Sequence, residues 1–433
     1  MKIDRRSFLS FIVGGAAGTA LSPLPWKLTD DSSIWSQRWP WTPIPANGEI
    51  SYVTSTCLLC PGGCGVRIKK VDERVIKVEG LPGHPVNDGG ICPLGATAAQ
   101  LLYSPTRIQT PMKKTNGHWQ SISWEAALSE VSSALNELRS SGKPNTVAAV
   151  CGTDRGTVAE LFKRFLTVYG SPNFIRMPSI QDKYELALYL TQGVRAMPGF
   201  DLAKSDCVLS FGSGVIEGWM SPVYMFRAKS ALSENGGKFI QIESRLSKTA
   251  AKADNWVPIN PGTEGALALG IAHVLLAKGA YRQAAVYAEG FEALKQSVAS
   301  DYGPDRVAGI TGVDTATIDQ LAQKFAAARR PVAICGRGGQ EGQEDTSGGI
   351  QEYMAVHFLN ALVGAINRSG GVYAVPEPDY ISWPEVEMDA TASAGMQVSR
   401  VDGAGTAMYP HARYLLHRLP ASINASQNSP VQL

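Results

Sequence analysis

Four cysteines in one short stretch constrain this chain more than any other feature. They stand at Cys57, Cys60, Cys64 and Cys92, a Cys-x2-Cys-x3-Cys-x27-Cys spacing. Three thiolates share one tight loop and the fourth returns from a distant turn, which is what enclosing a cubane requires. The spacing therefore suits a 4Fe-4S cluster. Gly62, Gly63 and Gly65 surround the third cysteine, leaving the backbone free to wrap a cluster and to turn N–H groups toward its sulfurs. Structural zinc also accepts four thiolates, though more often from two Cys-x2-Cys knuckles. Disulfides are a third reading, natural for an exported chain. Cys151, Cys207 and Cys335 stand singly on or beside apolar strands and read as core residues.

The export reading comes from the N-terminus. Asp4-Arg5-Arg6-Ser7-Phe8-Leu9 precedes an apolar run from Phe11 to Leu21, the pattern of a twin-arginine signal over residues 1–21. The alternative is a short membrane anchor, but the run is well below the roughly 20 residues that span a bilayer. Gly18 and Ala20 would allow cleavage after Ala20. A periplasmic location is expected. Because that route carries folded proteins, a cofactor inserted before export is expected too.

Composition narrows the class further. Over 433 residues, 44% are apolar and 18% charged, with 44 Gly and 26 Pro, which suits a loop-rich α/β protein and argues against disorder or a coiled coil. Net charge is only +2 and no run of five or six basic residues occurs, so nucleic acid is excluded as a natural partner.

Along the chain, residues 22–50 form a Pro- and Trp-rich arm with Trp26, Trp35, Trp39 and Trp41. Residues 51–110 form a small cluster domain with alternating strands at Val66 to Lys69 and Val75 to Val78. From 111 to 372 helices alternate with short apolar strands, the signature of a parallel sheet. Strands are expected at Thr146 to Val150, Cys207 to Phe211, Phe239 to Ile242 and Val332 to Cys335. Helices are expected at Glu125 to Arg139, Arg155 to Tyr169, Glu264 to Lys278, Thr315 to Ala328 and Ile350 to Val363. Several strands end in glycine-bearing turns, where open α/β sheets bind ligands. Residues 373–433 read as irregular, with a helix around His411 to Arg418 and an ending that looks like the start of a strand.

The twin-arginine start, the cysteine motif and Leu102-Tyr103-Ser104-Pro105-Thr106-Arg107 together resemble the molybdopterin oxidoreductase family, also called the dimethyl sulfoxide reductase family. Further matching segments are Gly170-Ser171-Pro172-Asn173, Phe211-Gly212-Ser213-Gly214, Pro261-Gly262-Thr263-Glu264, Gly336-Arg337-Gly338 and Asn360-Ala361-Leu362-Val363-Gly364 ahead of Gly370-Gly371. The resemblance implies doubly wound, Rossmann-like dinucleotide-binding lobes behind the 4Fe-4S domain, and a molybdopterin guanine dinucleotide cofactor. Candidate contacts follow from the residues. Gly212, Ser213 and Gly214 follow a strand and let backbone amides approach a pyrophosphate. Glu243, with Ser244 and Arg245 beside it, could accept from a ribose hydroxyl or a guanine amine. Pro261, Gly262, Thr263 and Glu264 open a helix, with Thr263 as its N-cap and a nucleotide contact. Ordinary turn and cap chemistry is the competing account of each. His273 reads as a core histidine.

Three departures from the family pattern matter more than the matches. Where members with a protein-derived ligand carry Cys, selenocysteine, Ser or Asp, this chain has Gln181, a neutral amide and a poor ligand for high-valent molybdenum; Ser179 and Asp182 stand nearby. Leu94 stands where many relatives have Lys or Arg between cluster and pterin. Relatives also continue into a second half, so a fragment, a split subunit or a reduced form is expected. The character is similar to the molybdenum-free molybdopterin-like subunits of menaquinone reductase and alternative complex III. That similarity implies electron transfer beside an iron-sulfur subunit, a multihaem cytochrome or a membrane quinone-binding subunit. The alternatives are a molybdenum catalyst of the polysulfide, thiosulfate or tetrathionate reductase type, and a non-catalytic scaffold.

Overall fold

The computed structural model describes residues 5–21, 48–60, 62–177, 179–336, 349–377, 381–425 and 430–433. The Trp-bearing arm at 22–47 and the pair Arg337-Gly338 lie outside the described residues. Arg5–Leu21 is a single helix of 17 residues. At 1.5 Å per residue it measures about 25 Å, short of the roughly 30 Å hydrocarbon core. Phe8, Leu9, Phe11 and Val13 on it are exposed. Among the described residues no helix is long and apolar enough to cross a membrane.

The chain divides into two compact units. One holds the described residues up to 59 together with 63–109; the other holds 60–62 and 110–433. In the first, β1 (Ile50–Thr56), β2 (Gly65–Val71) and β3 (Arg74–Gly80) form an antiparallel meander. β3 buries Ile76, Val78 and Gly80, the period-two pattern of a half-buried strand, while β2 buries Gly65, Val66 and Val71, its register against β3 shifting between Lys69 and Lys70.

The second unit begins with the hairpin β4 (Met112–Thr115) and β5 (His118–Ser121) and the helix Trp124–Ser140. A small parallel pair, β6 (Ala149–Cys151) and β7 (Phe174–Arg176), flanks the helix Thr157–Tyr169. The sequence places a strand at Thr146 to Val150, but Pro144–Thr146 is a 3-10 turn. Pro144 sits in its first turn with φ already fixed, and Thr146 Oγ1 donates to Lys143 O at 2.8 Å, so the strand starts later. The helix expected from Arg155 starts at Thr157, because Gly156 breaks the turn with φ 87°.

β8 (Met197–Phe200) leads to the main sheet of β9 (Cys207–Phe211), β10 (Lys238–Ile242), β11 (Asn255–Val257) and β12 (Pro331–Cys335). Its order is β11-β10-β9-β12 and all three pairings are parallel. All residues of β9 and β12 are buried, as strands covered on both faces must be. The chain steps outward from β9 to β11 and then returns to β12 on the other side of β9. The direction of winding therefore reverses between β9 and β12, and both strands end in glycines of positive φ, Gly212 (72°) and Gly336 (90°). The helices Glu264–Ala277, Thr315–Ala327 and Ile350–Leu362 form where the apolar periodicity places them. β13 (Val372–Val375) pairs back onto β8.

The helix expected at His411 to Arg418 is absent. Leu416–Arg418 is one 3-10 turn and the helix is Leu419–Asn424, with Pro420 in its first turn. The preceding stretch is held in place instead by side-chain partners, Leu415 N–H donating to Asp402 at 2.8 Å. At the far end Gln432 N–H donates to Thr146 O and Ala148 N–H to Leu433 O, both at 2.8 Å, so 432–433 runs beside the approach to β6 in strand-like fashion.

Cys207 and Cys335 are buried in the main core, and burial pushes the Cys207 thiol up to about 12. Cys151 packs on the smaller core, and His273 Nδ1 lies 3.2 Å from Val298 O. His357 is 8% exposed, and Gln192 Nε2 stands 2.7 Å from its Nε2. With the amide donating, the imidazole accepts and stays neutral. Burial lowers its pKa from 6.5 to about 4. Between those values the folded state binds fewer protons than the unfolded chain, so this contribution is complete above pH 6.5 and is lost as pH falls toward 4. The loss is about 3 kcal/mol. Urea titrations at pH 7 and pH 4 are expected to show that much less acid destabilisation in His357→Leu than in the wild type; parallel pH dependences would refute it.

Candidate iron-sulfur and cofactor site

The cysteine loop is anchored by strand register. β1 and β2 pair with Thr56 opposite Gly65, and Cys57 N–H donates to Cys64 O at 2.8 Å, which extends the ladder by one pair. Cys57 and Cys64 are thus set opposite each other wherever the β1–β2 register holds. The 27-residue gap to Cys92 is closed by Asn87, which is fully buried. Its Oδ1 accepts from Gly65 N–H at 2.8 Å, while its Nδ2 donates to Gly65 O at 2.9 Å and to Gly90 O at 2.7 Å. One side chain therefore ties the residue after Cys64 to a residue two before Cys92. Gly65 must be glycine, since a Cβ there would meet His84 Cδ2 at 2.4 Å.

Cys92 caps the short helix Pro93–Ala96, and its Sγ accepts from Gly95 N–H at 3.4 Å. Leu94, on that helix, is 44% exposed and offers no donor. Cys60 and Gly62 group with the second unit. None of the seven cysteines forms a disulfide. Among the described residues no three His, Cys, Asp or Glu side chains are gathered closely enough to hold a metal ion. The donor set nonetheless suits a cluster: four cysteines stand outside any disulfide, three of them fixed by backbone register and the Asn87 clamp.

The stretch after Asn173 gives the second part of the site. Residues 180–192 form the helix Ile180–Gln192, which the sequence reading did not anticipate, and Ser179 is its N-cap. Ser179 Oγ accepts from Gln181 N–H at 3.1 Å, and Asp182 Oδ2 accepts from Ser179 N–H at 3.0 Å, a reciprocal capping box. Asp182 also pairs with Arg176, whose Nε lies 3.2 Å from Asp154. Arg176 is 3% exposed, and its guanidinium lies 4.8 Å over the ring of Tyr414. Burial works against charge at both Arg176 and Asp154. It is outweighed by their mutual attraction and by Asp182 and Arg413, so the Arg176 pKa is raised and the Asp154 pKa lowered. Both oxygen ligands that could replace Gln181 are thus committed to the helix cap and a buried ion pair. Sequence reading missed Arg176, Asp154, Arg413 and Tyr414; the Ser-x-x-Asp spacing ahead of Tyr184 was the available signal.

Arg413 also pairs with Glu185 at 2.7 Å and borders three adjoining hollows of about 780, 410 and 200 Å³. The largest sets Arg155, Lys163, Arg164 and Arg413 against Asp154, Glu160, Glu377 and Glu385. Its walls carry balanced charge. The smallest borders Ser179, Asp182, His411 and His417, and the His411 ring lies tilted against Tyr189 with centroids 5.4 Å apart.

The nucleotide candidates follow the carboxyl ends of β9, β10 and β11. Ser213 is fully buried and its Oγ has no hydrogen-bond partner. Trp219, on the same loop, is fully buried, and its Nε1 is likewise unpartnered. Two orphaned donors beside a positive-φ glycine are a feature that a bound polar group would satisfy. Glu243, 3% exposed, is already engaged: Oε2 accepts from Ser247 Oγ at 2.6 Å and Gln241 Nε2 at 3.2 Å, and Oε1 meets Arg245 Nε at 3.3 Å. Ser244 lies between them in the loop. Thr263 precedes the helix Glu264–Ala277, but its hydroxyl donates to Asn260 O at 2.7 Å and does not cap it. Gly262 has φ 77°, and Pro261 and Gly262 form the turn that delivers Glu264 to a buried position.

Comparison with known proteins places these features in context. The family model described as "Molybdopterin oxidoreductase" matches residues 107–417, and the "Molybdopterin oxidoreductase Fe4S4 domain" matches 50–104. The menaquinone reductase molybdopterin-binding-like subunit of Nitratidesulfovibrio vulgaris is 39% identical over 87% of this chain and 53% of its own length. The thiosulfate reductase molybdopterin-containing subunit of Salmonella typhimurium is 30% identical over 86% of this chain and 48% of its own. The solved structure of acetylene hydratase from Pelobacter acetylenicus superposes with a TM-score of 0.63 at 26% identity, over 74% of this chain and 44% of that one. The chain spans about half the length of the curated relatives it matches.

Proposed function

This chain belongs to the molybdopterin oxidoreductase family and carries its Fe4S4 domain, and from that premise we propose that it is an electron-transfer subunit that works without molybdenum. It is related to a menaquinone reductase subunit. The carrying observation is the commitment of Ser179 and Asp182 to the capping box and the Arg176 pair, which leaves the neutral Gln181 amide at the ligand position.

Cys57, Cys60, Cys64 and Cys92 are the proposed cluster ligands. A 4Fe-4S cluster, when bound, supplies one-electron transfer at a potential set by its surroundings. The chain's own contribution is to hold the thiols: the β1–β2 register sets Cys57 against Cys64, Asn87 fixes the approach to Cys92, and Gly95 N–H supports the Cys92 sulfur. Leu94 lines this region without a cation.

The reversal of winding between β9 and β12 supports a Rossmann-like dinucleotide site at their carboxyl ends. In this reading Gly212, Ser213 and Gly214 contact a pterin dinucleotide, while Glu243, Arg245 and Thr263 order the loops behind them. The Arg5-Arg6 start and the exposed apolar helix behind it support twin-arginine export to the periplasm. An iron-sulfur subunit, a multihaem cytochrome or a membrane quinone-binding subunit would then take or give the electrons.

Metal analysis of the purified complex tests the reading. About four iron atoms per chain are expected, with molybdenum and tungsten far below one. Stoichiometric molybdenum would instead favour catalysis of the thiosulfate- or arsenate-reductase kind carried by other relatives. An iron-sulfur spectrum that survives Cys60→Ala would overturn the ligand assignment.

A further inference from the structure

Ser221 precedes Pro222 at the start of the 13-residue helix Pro222–Glu234, the position where a serine hydroxyl ordinarily accepts from the first turn. Here it makes no such bond. Its Oγ is buried and has no hydrogen-bond partner. The reason for a serine at this position lies elsewhere.

What the hydroxyl faces is the Cys60 loop. A Cβ built on Gly62 would stand 3.0 Å from Ser221 Oγ, 3.3 Å from Cys60 Sγ and 3.4 Å from Ser221 Cα. The hydroxyl and the sulfur therefore border the same bare face of Gly62, and no Gly62 side chain separates them. Cys60, Gly62 and Ser221 belong to the same compact unit, so their placement does not depend on the other one. Gly62 has no positive φ to demand glycine, so the close approach is the physical reason for its bare Cα.

We propose that Ser221 is a positioning and tuning residue for the cluster, its hydroxyl donating to the Cys60 sulfur. This inference rests on the cluster reading above. A donor hydrogen next to a ligand sulfur favours the more negative, reduced form, so removing it lowers the reduction potential. The free hydroxyl has its partner once Cys60 is a thiolate.

EPR-monitored redox titration of the anaerobically purified holoprotein tests this directly. Ser221→Ala is expected to keep the wild-type signal shape while its reduction constant falls about threefold to tenfold, tenfold being about 59 mV for a one-electron couple. Ser221→Thr, which keeps the hydroxyl, restores the wild-type value. If Ser221→Ala loses the cluster, Ser221→Cys carries the test, its weak S–H donor giving an intermediate lowering. A wild-type signal with an unchanged potential in Ser221→Ala overturns this inference alone. A wild type with no iron-sulfur signal overturns the cluster reading and this inference with it.

Discussion

Arg176→Met is expected to destabilise the protein by about 3–5 kcal/mol, the cost of removing one partner from a buried ion pair and leaving the others uncompensated. Arg176 is 3% exposed, and its side chain holds Asp154 and Asp182 together while donating to Met177 O at 2.6 Å. Methionine fills much of the volume but offers no charge. The Asp154 carboxyl, held below its ordinary range by Arg176 and Arg413 against the effect of burial, would then lose its principal cation. Its folded-state pKa would rise above the unfolded value, so the deficit should be large at pH 7 and shrink as pH falls through the carboxylate range. Urea unfolding at pH 7 and at a pH below the carboxylate range measures this. A pH-independent loss below about 1 kcal/mol would mean the triad is no stronger than a surface pair. The same substitution releases Asp182 from its cation, so metal analysis of the variant asks whether that pair is what keeps the ligand position closed.

How much of this was legible in the sequence follows from the range of the interactions. β9, β12 and the helices Glu264–Ala277, Thr315–Ala327 and Ile350–Leu362 are read almost to the residue, because their apolar residues recur locally, whereas the helix Pro222–Glu234 between β9 and β10 was not expected. The cysteines are legible because ligand spacing is local too. Asn87 was not: its three hydrogen bonds join Gly65 and Gly90, and nothing in the string distinguishes it from any other loop asparagine. The Ser179 capping box was present in the sequence, but the helix it opens was not expected, its first turns being largely polar at Gln181, Asp182, Lys183 and Glu185. The false helix at His411 to Arg418 fails for the opposite reason. Its periodicity is real, but Arg413 and Tyr414 are drawn into the charge cluster with Glu185, Arg176 and Arg400, and Leu415 is pinned by Asp402. Long-range electrostatics override a weak local propensity.

Asn360 carries the other large expected effect; the string marks it only as the first residue of a segment resembling the family, with no sign of its partner. Among the described residues β12 is an edge strand, with β9 on one side only. On its open side Asn360 Oδ1 accepts from Ala333 N–H and Asn360 Nδ2 donates to Ala333 O, both at 2.8 Å, so one amide stands in for a neighbouring strand. Two residues further on, Tyr184 Oη repeats the device, accepting from Cys335 N–H at 3.0 Å and donating to Cys335 O at 2.6 Å. Residues two apart present their backbone groups to the same side, so the two side chains together close the edge beside the reversal of winding. Asn360→Leu strands a buried donor and a buried acceptor, and about 2–5 kcal/mol of stability is expected to go with them. Asn360→Asp is the sharper probe. Its carboxylate can still accept from Ala333 N–H but repels Ala333 O, whereas the protonated acid can serve both. Its folded-state pKa should therefore exceed the unfolded value of about 3.9, so the deficit should be smallest below that pH and widen as pH rises. Denaturation curves that show Asn360→Leu within about 1 kcal/mol of wild type, or Asn360→Asp losing stability on acidification relative to wild type, would show that Asn360 does not close the sheet edge.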